Sequence, residues 1–324
     1  MFFLLYPVQS GLWSKYPQNV YNENMGKWAI NNKVCLVTGA TSGIGLATAK
    51  ELARDGACVI VVGRSKKESQ AVALSIADET NCPKVDYLSA DFQSLREVRD
   101  LAREFQKRYK RLDVLINNAG VYLKDRQLTQ EGLELTFTVN YLAPFLLTDL
   151  LLPILKKSAP ARIINVSSNS HRGLKIDLDD LMTERAIDHP KTAYGKSKLA
   201  LLMFTYQLAE KLAGTHVDVN AICPGGVATN IWQCNNDLAT KAFRLAVPLL
   251  KTPEQAAELI IYLVKSPELE GVSGKFFALQ NHLKYIKSDL RKTERQSSPE
   301  SYDTQIAQEL WKASEELCEK YKDF

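Results

Sequence analysis

Features that mark several protein classes are absent from this sequence of 324 residues, or rare in it. Four histidines and six cysteines with no CxxC pair give no metal-ligand spacing and no disulfide framework. No run reaches the roughly 18 apolar residues that a membrane-spanning helix needs. The 41 Lys and Arg residues nearly balance the 37 Asp and Glu residues, and no basic tract is present. These absences argue against a metal site, a membrane span and a nucleic-acid partner.

The first 30 residues are rich in aromatic side chains and begin with MFFLLYPV. This run lacks a basic flank and a small-residue cleavage site, so it fits a secretory signal poorly. Aromatic rings favour a membrane interface, but they also pack on a protein body or a partner subunit, and both alternatives stay open. We expect a protein that is not secreted. We place it on the cytoplasmic face, soluble or peripherally attached to a membrane such as the ER or a lipid droplet.

From residue 33 onward, short apolar runs alternate with stretches of helical periodicity. The predicted strands cover 34–38, 57–62, 85–89, 114–117, 162–167, 217–222 and 274–277. The predicted helices cover 44–55, 66–79, 95–109, 131–157 and 192–213. This alternation predicts a single-domain, doubly wound α/β fold, with a parallel sheet between two layers of helices. Ligands are then expected beyond the carboxyl ends of the strands.

Three segments are expected along the chain. Residues 1–32 form an aromatic extension, and residues 33–283 form the α/β domain. Residues 284–324 comprise a polar, solvated loop and an amphipathic terminal helix with apolar residues at helical spacing. Inside the domain, cysteines in apolar strand-like runs are expected to be reduced core thiols.

A glycine-rich turn, TGATSGIG, follows the first predicted strand and opens the first predicted helix. Gly39 permits a tight turn, Gly43 lets the backbone approach a pyrophosphate, and Gly45 lets the helix pack on the strand. The free N–H groups at Ser42, Gly43 and Ile44 attract phosphate. A simple chain reversal is the alternative, and the strand–turn–helix context favours a dinucleotide site.

The end of the second predicted strand indicates which dinucleotide is bound. An NAD site carries an acidic residue there, whereas an NADP site carries arginine for the 2′-phosphate. This chain has Arg64 and Ser65, with no acid before Glu68. The guanidinium fork matches phosphate geometry, although a solvated surface arginine is the alternative. We therefore favour NADP(H) over NAD(H).

Two further strand ends carry candidate cofactor contacts. Asp91 follows the third predicted strand, where its carboxylate is suited to accept a hydrogen bond from adenine or to cap the next helix. Asn118, Ala119 and Gly120 follow the fourth strand. Their small size suits a backbone that passes close to the cofactor, and an ordinary turn is the alternative.

The candidate catalytic residues lie in three places: on one face of a helix, at the end of a strand and in the interior of another helix. Tyr194 and Lys198 are four residues apart on one helix face, and we expect the ammonium to lower the tyrosine pKa from about 10. A hydroxyl of the Ser167–Ser168 pair can stabilise a substrate oxygen. Asn140 lies mid-helix, where asparagine is unfavourable. It is interpreted either as the holder of a water linked to Lys198 or as a satisfied, buried amide.

Taken together, these motifs resemble the short-chain dehydrogenase/reductase family between about residues 33 and 274. The matching elements are TGATSGIG, Asp91, NNAG, Asn140, the INVSS run, YGKSK, and Pro224–Gly225 with Thr229. The resemblance implies a Rossmann fold and a tetrad of Asn140, Ser168, Tyr194 and Lys198. Ser168 is preferred because the catalytic serine of the family is the second of the pair. The resemblance also implies that Pro224, Gly225 and Thr229 cover the nicotinamide, and that the chain forms a homo-oligomer.

Within the family, the stretches LTDLLLPILKKSAPARIINVSS, SKLALLMFTYQL and PELEGVSGKFF resemble the branch of retinol and polyprenol dehydrogenases. The chain departs from that branch in lacking a clear N-terminal membrane helix. The segment after Thr229 is apolar, which favours a lipophilic alcohol or carbonyl as the substrate. The alternatives are a non-catalytic NADP(H)-binding protein and a membrane-peripheral scaffold. The first of these is disfavoured because both Tyr194 and Lys198 are retained.

Overall fold

A single sheet organises the computed structural model, which describes residues 28–185, 189–227, 250–279, 290 and 293–322. Its strands are β1 (Val34–Thr38), β2 (Cys58–Gly63), β3 (Val85–Ser89), β4 (Val114–Asn117), β5 (Ala161–Val166), β6 (Val217–Cys223), β7 (Lys275–Ala278) and β8 (Glu294–Arg295). Among the described residues their order is β3-β2-β1-β4-β5-β6-β7-β8. All neighbours are parallel except β7 and β8, which pair antiparallel.

Helices cover both faces of this sheet. They are α1 (Gly43–Arg54), α2 (Lys66–Thr80), α3 (Leu95–Arg108), α4 (Leu135–Lys157), α5 (His189–Lys211), α6 (Pro253–Lys265) and α7 (Thr304–Lys320). One apolar cluster packs α3, α4, α5 and α7 on one face, and a second packs α1, α2 and α6 on the other. The central strands are buried on both sides, which explains their unbroken apolar runs. The predicted doubly wound fold is confirmed.

The sheet reverses its strand order between β1 and β4. The chain winds outward from β1 to β2 and β3, then returns to β4 and continues in the other direction. In such sheets, ligands bind outside the carboxyl ends of the strands at this reversal. The fold therefore places the turn after β1 and the segment after β4 on opposite sides of one crevice.

Most predicted elements lie within a few residues of the observed ones, and two differences have clear causes. The helix predicted from residue 131 begins at Leu135 because the Glu134 carboxylate caps it, accepting from the amides of Thr136 and Phe137 at 3.0 and 2.6 Å. Helix α6 has no counterpart in the prediction, although Thr252 and Gln255 form a capping box at its start.

The interpretation of residues 284–303 as a solvated loop is wrong for part of residues 293–303, where exposed and buried side chains alternate. Residues 294 and 295 form β8, and Thr293, Ser297, Ser298 and Ser301 are buried. The hydroxyls of Thr293, Ser297 and Ser301 and the backbone N–H and carbonyl of Ser298 are hydrogen-bonded inside the protein, so a polar segment is held without an apolar face. The terminal helix is confirmed as α7, which packs on the body through Ala307 and Leu310.

Other sequence expectations concern the ends and the thiols. Trp28 is buried and donates from its ring to the carbonyl of Val264 at 2.5 Å, so the chain docks on the body from that residue onward. Five cysteines are free and buried, as predicted, and Cys234 lies outside the described residues.

Within the described ranges, α4 is long and apolar enough to cross a membrane, but 72% of its apolar window is buried in the protein core.

Candidate active site

The glycine-rich turn adopts the shape that its sequence predicts. Gly39 and Gly43 have φ values of +64° and +55°, which glycine tolerates best. A Cβ on Gly45 would lie 2.3 Å from the Gly39 carbonyl oxygen and 2.5 Å from the Asn118 side-chain nitrogen. Ser42 precedes α1 but makes no side-chain cap. The first N–H groups of α1, which include that of Ile44, are therefore available to an anion.

The NNAG segment after β4 braces this turn. The Asn118 amide donates to the carbonyls of Thr38 and Gly39 at 2.8 and 3.2 Å. In return, the Thr38 hydroxyl accepts from the backbone N–H groups of Asn118 and Ala119 at 2.9 and 3.0 Å. Asn118 therefore braces the turn, a role that the sequence analysis did not assign to it, and Thr38 is a residue that sequence reasoning missed. The signal for Thr38 was its place at the end of β1.

The end of β2 presents Arg64 at the cleft. Arg64 is exposed and lines the crevice, whereas the Ser65 hydroxyl caps α2 by accepting from the Glu68 N–H at 3.3 Å. Ser65, which was predicted only as a contact of the phosphate, therefore also has a structural role as the cap of α2. The guanidinium of Arg64 faces the volume next to the glycine turn.

Asp91 follows β3 and also lines the crevice. Of its two predicted roles, the helix cap is wrong, because α3 is capped by Ser94, whose hydroxyl accepts from the Glu97 N–H at 3.3 Å. The Asp91 carboxylate instead accepts from the backbone and side chain of Gln93 at 3.1 and 2.6 Å. The second role, toward adenine, stays a prediction.

Tyr194, Lys198 and Ser168 face the same crevice from α5 and from the end of β5. Ser168 forms a hydrogen bond with Tyr194, and its hydroxyl also contacts Ser170 at 3.1 Å. Ser167 is committed elsewhere, since its buried hydroxyl donates to the Lys198 carbonyl at 3.0 Å. The structure therefore brings together the three residues that the sequence nominated.

The electrostatics of this group differ from the expectation. Burial raises the pKa of Tyr194 well above its usual range, the Ser168 hydrogen bond opposes this, and the nearby Cys223 thiol adds to it. Burial also lowers the pKa of Lys198 to about 8. The expected lowering of the tyrosine pKa by the lysine is wrong for the protein groups alone. Desolvation dominates, and the ammonium lies 5.6 Å from the tyrosine ring centre.

Asn140 lies in a π-helical turn, Thr138–Leu142, inside α4. Its side-chain oxygen accepts from the Val121 N–H at 2.8 Å. Its nitrogen donates to the Val121 carbonyl and to the Ser197 hydroxyl, both at 3.0 Å. These contacts match the satisfied, buried amide, and the water-holding role stays a prediction. Asn140 ties the segment after β4 to the helix that carries Tyr194.

Two further regions complete the crevice. Pro224 and Gly225 follow β6 and line it, and Thr229 lies outside the described residues. Tyr122, which sequence reasoning missed, packs edge-on against Tyr194 with ring centres 5.3 Å apart. Tyr122 lines the crevice together with the apolar side chains of Val121 and Leu123.

The crevice has a volume of about 510 Å³. It runs from the glycine turn and Arg64 to Tyr194 and Lys198, along the carboxyl ends of β1, β2, β4 and β5. Its shape fits an elongated dinucleotide, because the turn admits no Cβ at Gly45 and offers uncapped N–H groups at one end. The other end is lined by Ser168, Tyr194 and Lys198.

Comparison with known proteins agrees with this site. The model of the short chain dehydrogenase family matches residues 33–176 and 184–239. The chain belongs to the short-chain dehydrogenase family. Members of this family are oxidoreductases that bind a nicotinamide cofactor, and the glycine turn and Tyr194 of this chain lie in the matched residues.

Several relatives cover most of the chain. It is 40% identical over 296 residues to mouse retinol dehydrogenase 13, covering 90% of this chain and 85% of that protein. It is 39% identical over 297 residues to human polyprenol dehydrogenase, covering 88% and 85%. The chain therefore belongs to the retinol dehydrogenase-like branch.

Solved structures share the same fold. An uncharacterised protein from Mycobacterium paratuberculosis superposes with a TM-score of 0.70 at 29% identity, covering 91% of this chain and 98% of that one. A putative short chain dehydrogenase from Escherichia coli CFT073, complexed with NADPH, has a TM-score of 0.62 at 28% identity, covering 78% and 98%.

Proposed function

We propose that the protein is an NADP(H)-dependent oxidoreductase that interconverts a lipophilic alcohol and its aldehyde or ketone. One observation carries the proposal: Tyr194, Ser168 and Lys198 line the same crevice as the phosphate-binding turn. A nucleotide held at the turn can therefore extend to the proton-transfer groups. NAD(H) is the less favoured cofactor.

The cofactor assignment rests on the residues around Arg64. Its guanidinium would pair with the 2′-phosphate, and no carboxylate follows β2 before Glu68 to compete for the ribose hydroxyls. The N–H groups at the start of α1 would hold the pyrophosphate, and Asp91 would accept from the adenine amino group. When bound, the nicotinamide supplies or accepts the hydride.

The acid–base work is assigned to Tyr194. Its raised pKa keeps the phenol protonated in the nucleotide-free protein, which suits donation of a proton to a carbonyl oxygen. The hydroxyl of Ser168 would donate to the same oxygen and stabilise its developing negative charge. Lys198 would hold the nicotinamide ribose, and its ammonium would favour the phenolate when the alcohol is oxidised.

A lipophilic substrate is supported by the wall beside Tyr194. Val121, Leu123, Leu135 and Val139 line this end of the crevice together with the Tyr122 ring. Apolar surface of this kind favours an apolar ligand by the area it removes from water. The relatives named for retinol and polyprenol point to substrates of retinoid or prenol type, with steroids as the remaining class.

Turnover of NADPH tests the proposal. The purified protein is incubated with retinal, a polyprenal, a steroid ketone or a simple aldehyde, and loss of NADPH absorbance is followed. We expect turnover with one of the lipophilic compounds and a preference for NADPH over NADH. Nucleotide binding without turnover of any carbonyl or alcohol would instead favour the regulatory NADP(H)-binding alternative.

A tyrosine substitution tests the catalytic assignment. Tyr194→Phe should lower kcat by about 10²–10⁴-fold, the usual contribution of a general acid, while NADPH binding is retained. Tyr262→Phe is the matched control, since Tyr262 on α6 bonds to Glu268 at the surface and lies outside the crevice. Full activity of Tyr194→Phe would refute the role of Tyr194.

The proposal extends to location. We place the enzyme on the cytoplasmic face, with residues 1–27 as a peripheral membrane contact, and we propose that it forms a homo-oligomer. Flotation with phosphatidylcholine–phosphatidylserine vesicles compares the full chain with a chain that lacks residues 1–27. Loss of flotation supports the contact, whereas equal flotation of both chains argues against it.

A further inference from the structure

The buried polar segment that precedes α7 lies beside the loop that carries Ser168. We define residues 293–303 as the C-terminal strap. The strap pairs with β7 through β8 and places Ser297, Ser298 and Ser301 in the interior. It thus passes along the β7 edge of the sheet, next to the residues that follow β5. Nothing in the proposed reaction accounts for its buried hydrogen bonds.

His171 connects the two segments. It is fully buried, three residues after Ser168, and both of its ring nitrogens have partners. Nε2 lies 3.0 Å from the backbone nitrogen of Ser298, and Nδ1 lies 2.6 Å from the Ser168 carbonyl oxygen. A backbone N–H can only donate and a carbonyl can only accept. Nε2 is therefore the acceptor and Nδ1 carries the proton.

The surroundings of His171 fix this neutral tautomer. Burial lowers the pKa of His171, which keeps the ring neutral at pH 7. The ring stands edge-on to Phe276 in β7, with centres 5.5 Å apart. A second bond joins the same segments, since the Arg172 guanidinium donates to the Gln296 carbonyl at 2.8 Å. The Ser168 loop is thereby attached to the strap at two successive residues.

Ser168 is also held by local hydrogen bonds: its hydroxyl accepts from the Ser170 N–H at 3.2 Å, and its carbonyl accepts from the His171 backbone N–H at 3.3 Å. It lies just beyond β5, and its hydroxyl contacts Tyr194 and the exposed Ser170. Its backbone carbonyl is the group that His171 holds. Catalytic hydroxyls must be placed within a fraction of an ångström, and loops need a supporting shell to achieve this.

We propose that His171 is a positioning residue, which couples the C-terminal strap to Ser168 and so sets the Ser168 hydroxyl against the substrate oxygen. The inference rests on the proposed function, because Ser168 acts on a substrate only if the protein is an oxidoreductase of this kind. The C-terminal strap lies outside the nucleotide-binding crevice. The proposal gives it an indirect part in the reaction, through the position of Ser168.

Ser298 offers a sharp test, because its φ of −72° is one that proline adopts. Ser298→Pro removes the N–H that His171 accepts and the side-chain hydroxyl, and it places the proline Cδ against Nε2, so the hydrogen bond to His171 is lost. Ser298→Ala is the control, since it removes the hydroxyl and keeps the N–H. We expect Ser298→Pro to lower kcat about tenfold, with KM for NADPH unchanged, and Ser298→Ala to match the native enzyme. Equal kcat for Ser298→Pro and Ser298→Ala would overturn the proposal.

A second variant separates positioning from general stability. His171→Asn keeps a donor near the Nδ1 position and loses the acceptor for Ser298. Because His171→Asn and Ser298→Pro break the same bond, their effects on kcat should not add in the double variant. Additive losses, or losses that follow Tm rather than kcat, would contradict a positioning role.

One readout does not depend on turnover. The ¹⁵N shifts of His171 report which ring nitrogen is protonated, and we expect the Nδ1–H form in the native protein and in Ser298→Ala. An Nε2–H form would refute the inference even in an active enzyme. Conversely, an inactive native protein with the Nδ1–H tautomer would refute the proposed function and leave the coupling of the strap in place.

Discussion

The ammonium of Lys198 donates to the backbone carbonyl of Val166 at 2.9 Å, at the end of β5. This hydrogen bond and the tyrosine ring at 5.6 Å offset part of the cost of a charge that is almost fully buried. The pKa of about 8 follows from that arrangement. The candidate site thus contains a buried charge that is costly to the fold, and strongly perturbed groups of this kind are typical of functional sites.

Lys198 should destabilise the nucleotide-free protein at neutral pH. Its pKa is lower in the folded state than the usual 10.5, so the unfolded chain binds more protons between about pH 8 and 10.5, and stability rises with pH across that window. Below it, the buried charge costs about 3 kcal/mol. Lys198→Met should therefore raise the free energy of unfolding at pH 7 by ~1–2 kcal/mol, after loss of the Val166 hydrogen bond.

Denaturant titration at two pH values checks this expectation. At pH 7 the midpoint for Lys198→Met should exceed that of the native protein, and the difference should shrink toward pH 10.5. Lys196→Met on the same helix is the control, because Lys196 is only half-buried. A lower midpoint for Lys198→Met at pH 7 would show that the ammonium does not destabilise the fold. Activity should be lost in the same variant.

Arg64 should determine the choice of cofactor. Arg64→Asp removes the fork for the 2′-phosphate and adds a carboxylate suited to ribose hydroxyls. A charge-assisted contact contributes about 1.5–3 kcal/mol, so KM for NADPH should rise about 10–100-fold, while KM for NADH falls. Lys66→Asp makes the same charge change at an exposed position outside the crevice. If Lys66→Asp changed the KM values for NADPH and NADH as much as Arg64→Asp does, the change would reflect the net charge of the region and not a contact of Arg64 with the 2′-phosphate.

Gly45 should admit no side chain without loss of the nucleotide site. The added methyl of Gly45→Ala would meet the Gly39 carbonyl and the Asn118 amide, both of which are held by the bonds that brace the turn. We expect a loss of ~1–3 kcal/mol in stability and a weaker Kd for NADPH. Gly214→Asn is the control, since nothing lies within 4 Å of its Cβ position and asparagine is among the residues that best tolerate its φ of +78°. Fluorescence titration with NADPH and thermal melts distinguish the two variants.

Much of the fold was predictable because it depends on local periodicity. Strands such as β1 and β2 are continuous apolar runs, and the helices between them repeat at helical spacing. The C-terminal strap was not predictable in this way. Its buried serines bond to groups such as His171, 127 residues away, and their polarity alone indicates a loop.

The candidate site shows the same division. Tyr194 and Lys198 were found because four-residue spacing places them on one helix face. The direction of the tyrosine pKa was missed, because burial is set by the packing of Tyr122 and the β6 end rather than by spacing. Sequence patterns identify which groups are present, and the tertiary environment decides their charge.

The last prediction concerns the contact between α7 and the π-helical turn that carries Asn140. The Ser314 hydroxyl donates to the Leu310 carbonyl at 2.7 Å, so at its 2.7 Å contact with the Tyr141 hydroxyl it is the acceptor. Ser314→Ala then leaves a buried phenol donor unpaired and should cost about 1–3 kcal/mol. Tyr141→Phe should cost less, because Ser314 keeps its bond to Leu310.

A double-mutant cycle checks this asymmetry. In the Tyr141→Phe background, Ser314→Ala no longer leaves a phenol unpaired, so its cost in urea unfolding should fall well below its cost in the native protein. Equal costs in both backgrounds would mean that the two hydroxyls do not interact. If kcat also falls in Ser314→Ala while NADPH binding is retained, α7 supports the turn of Asn140 as well as the stability of the fold.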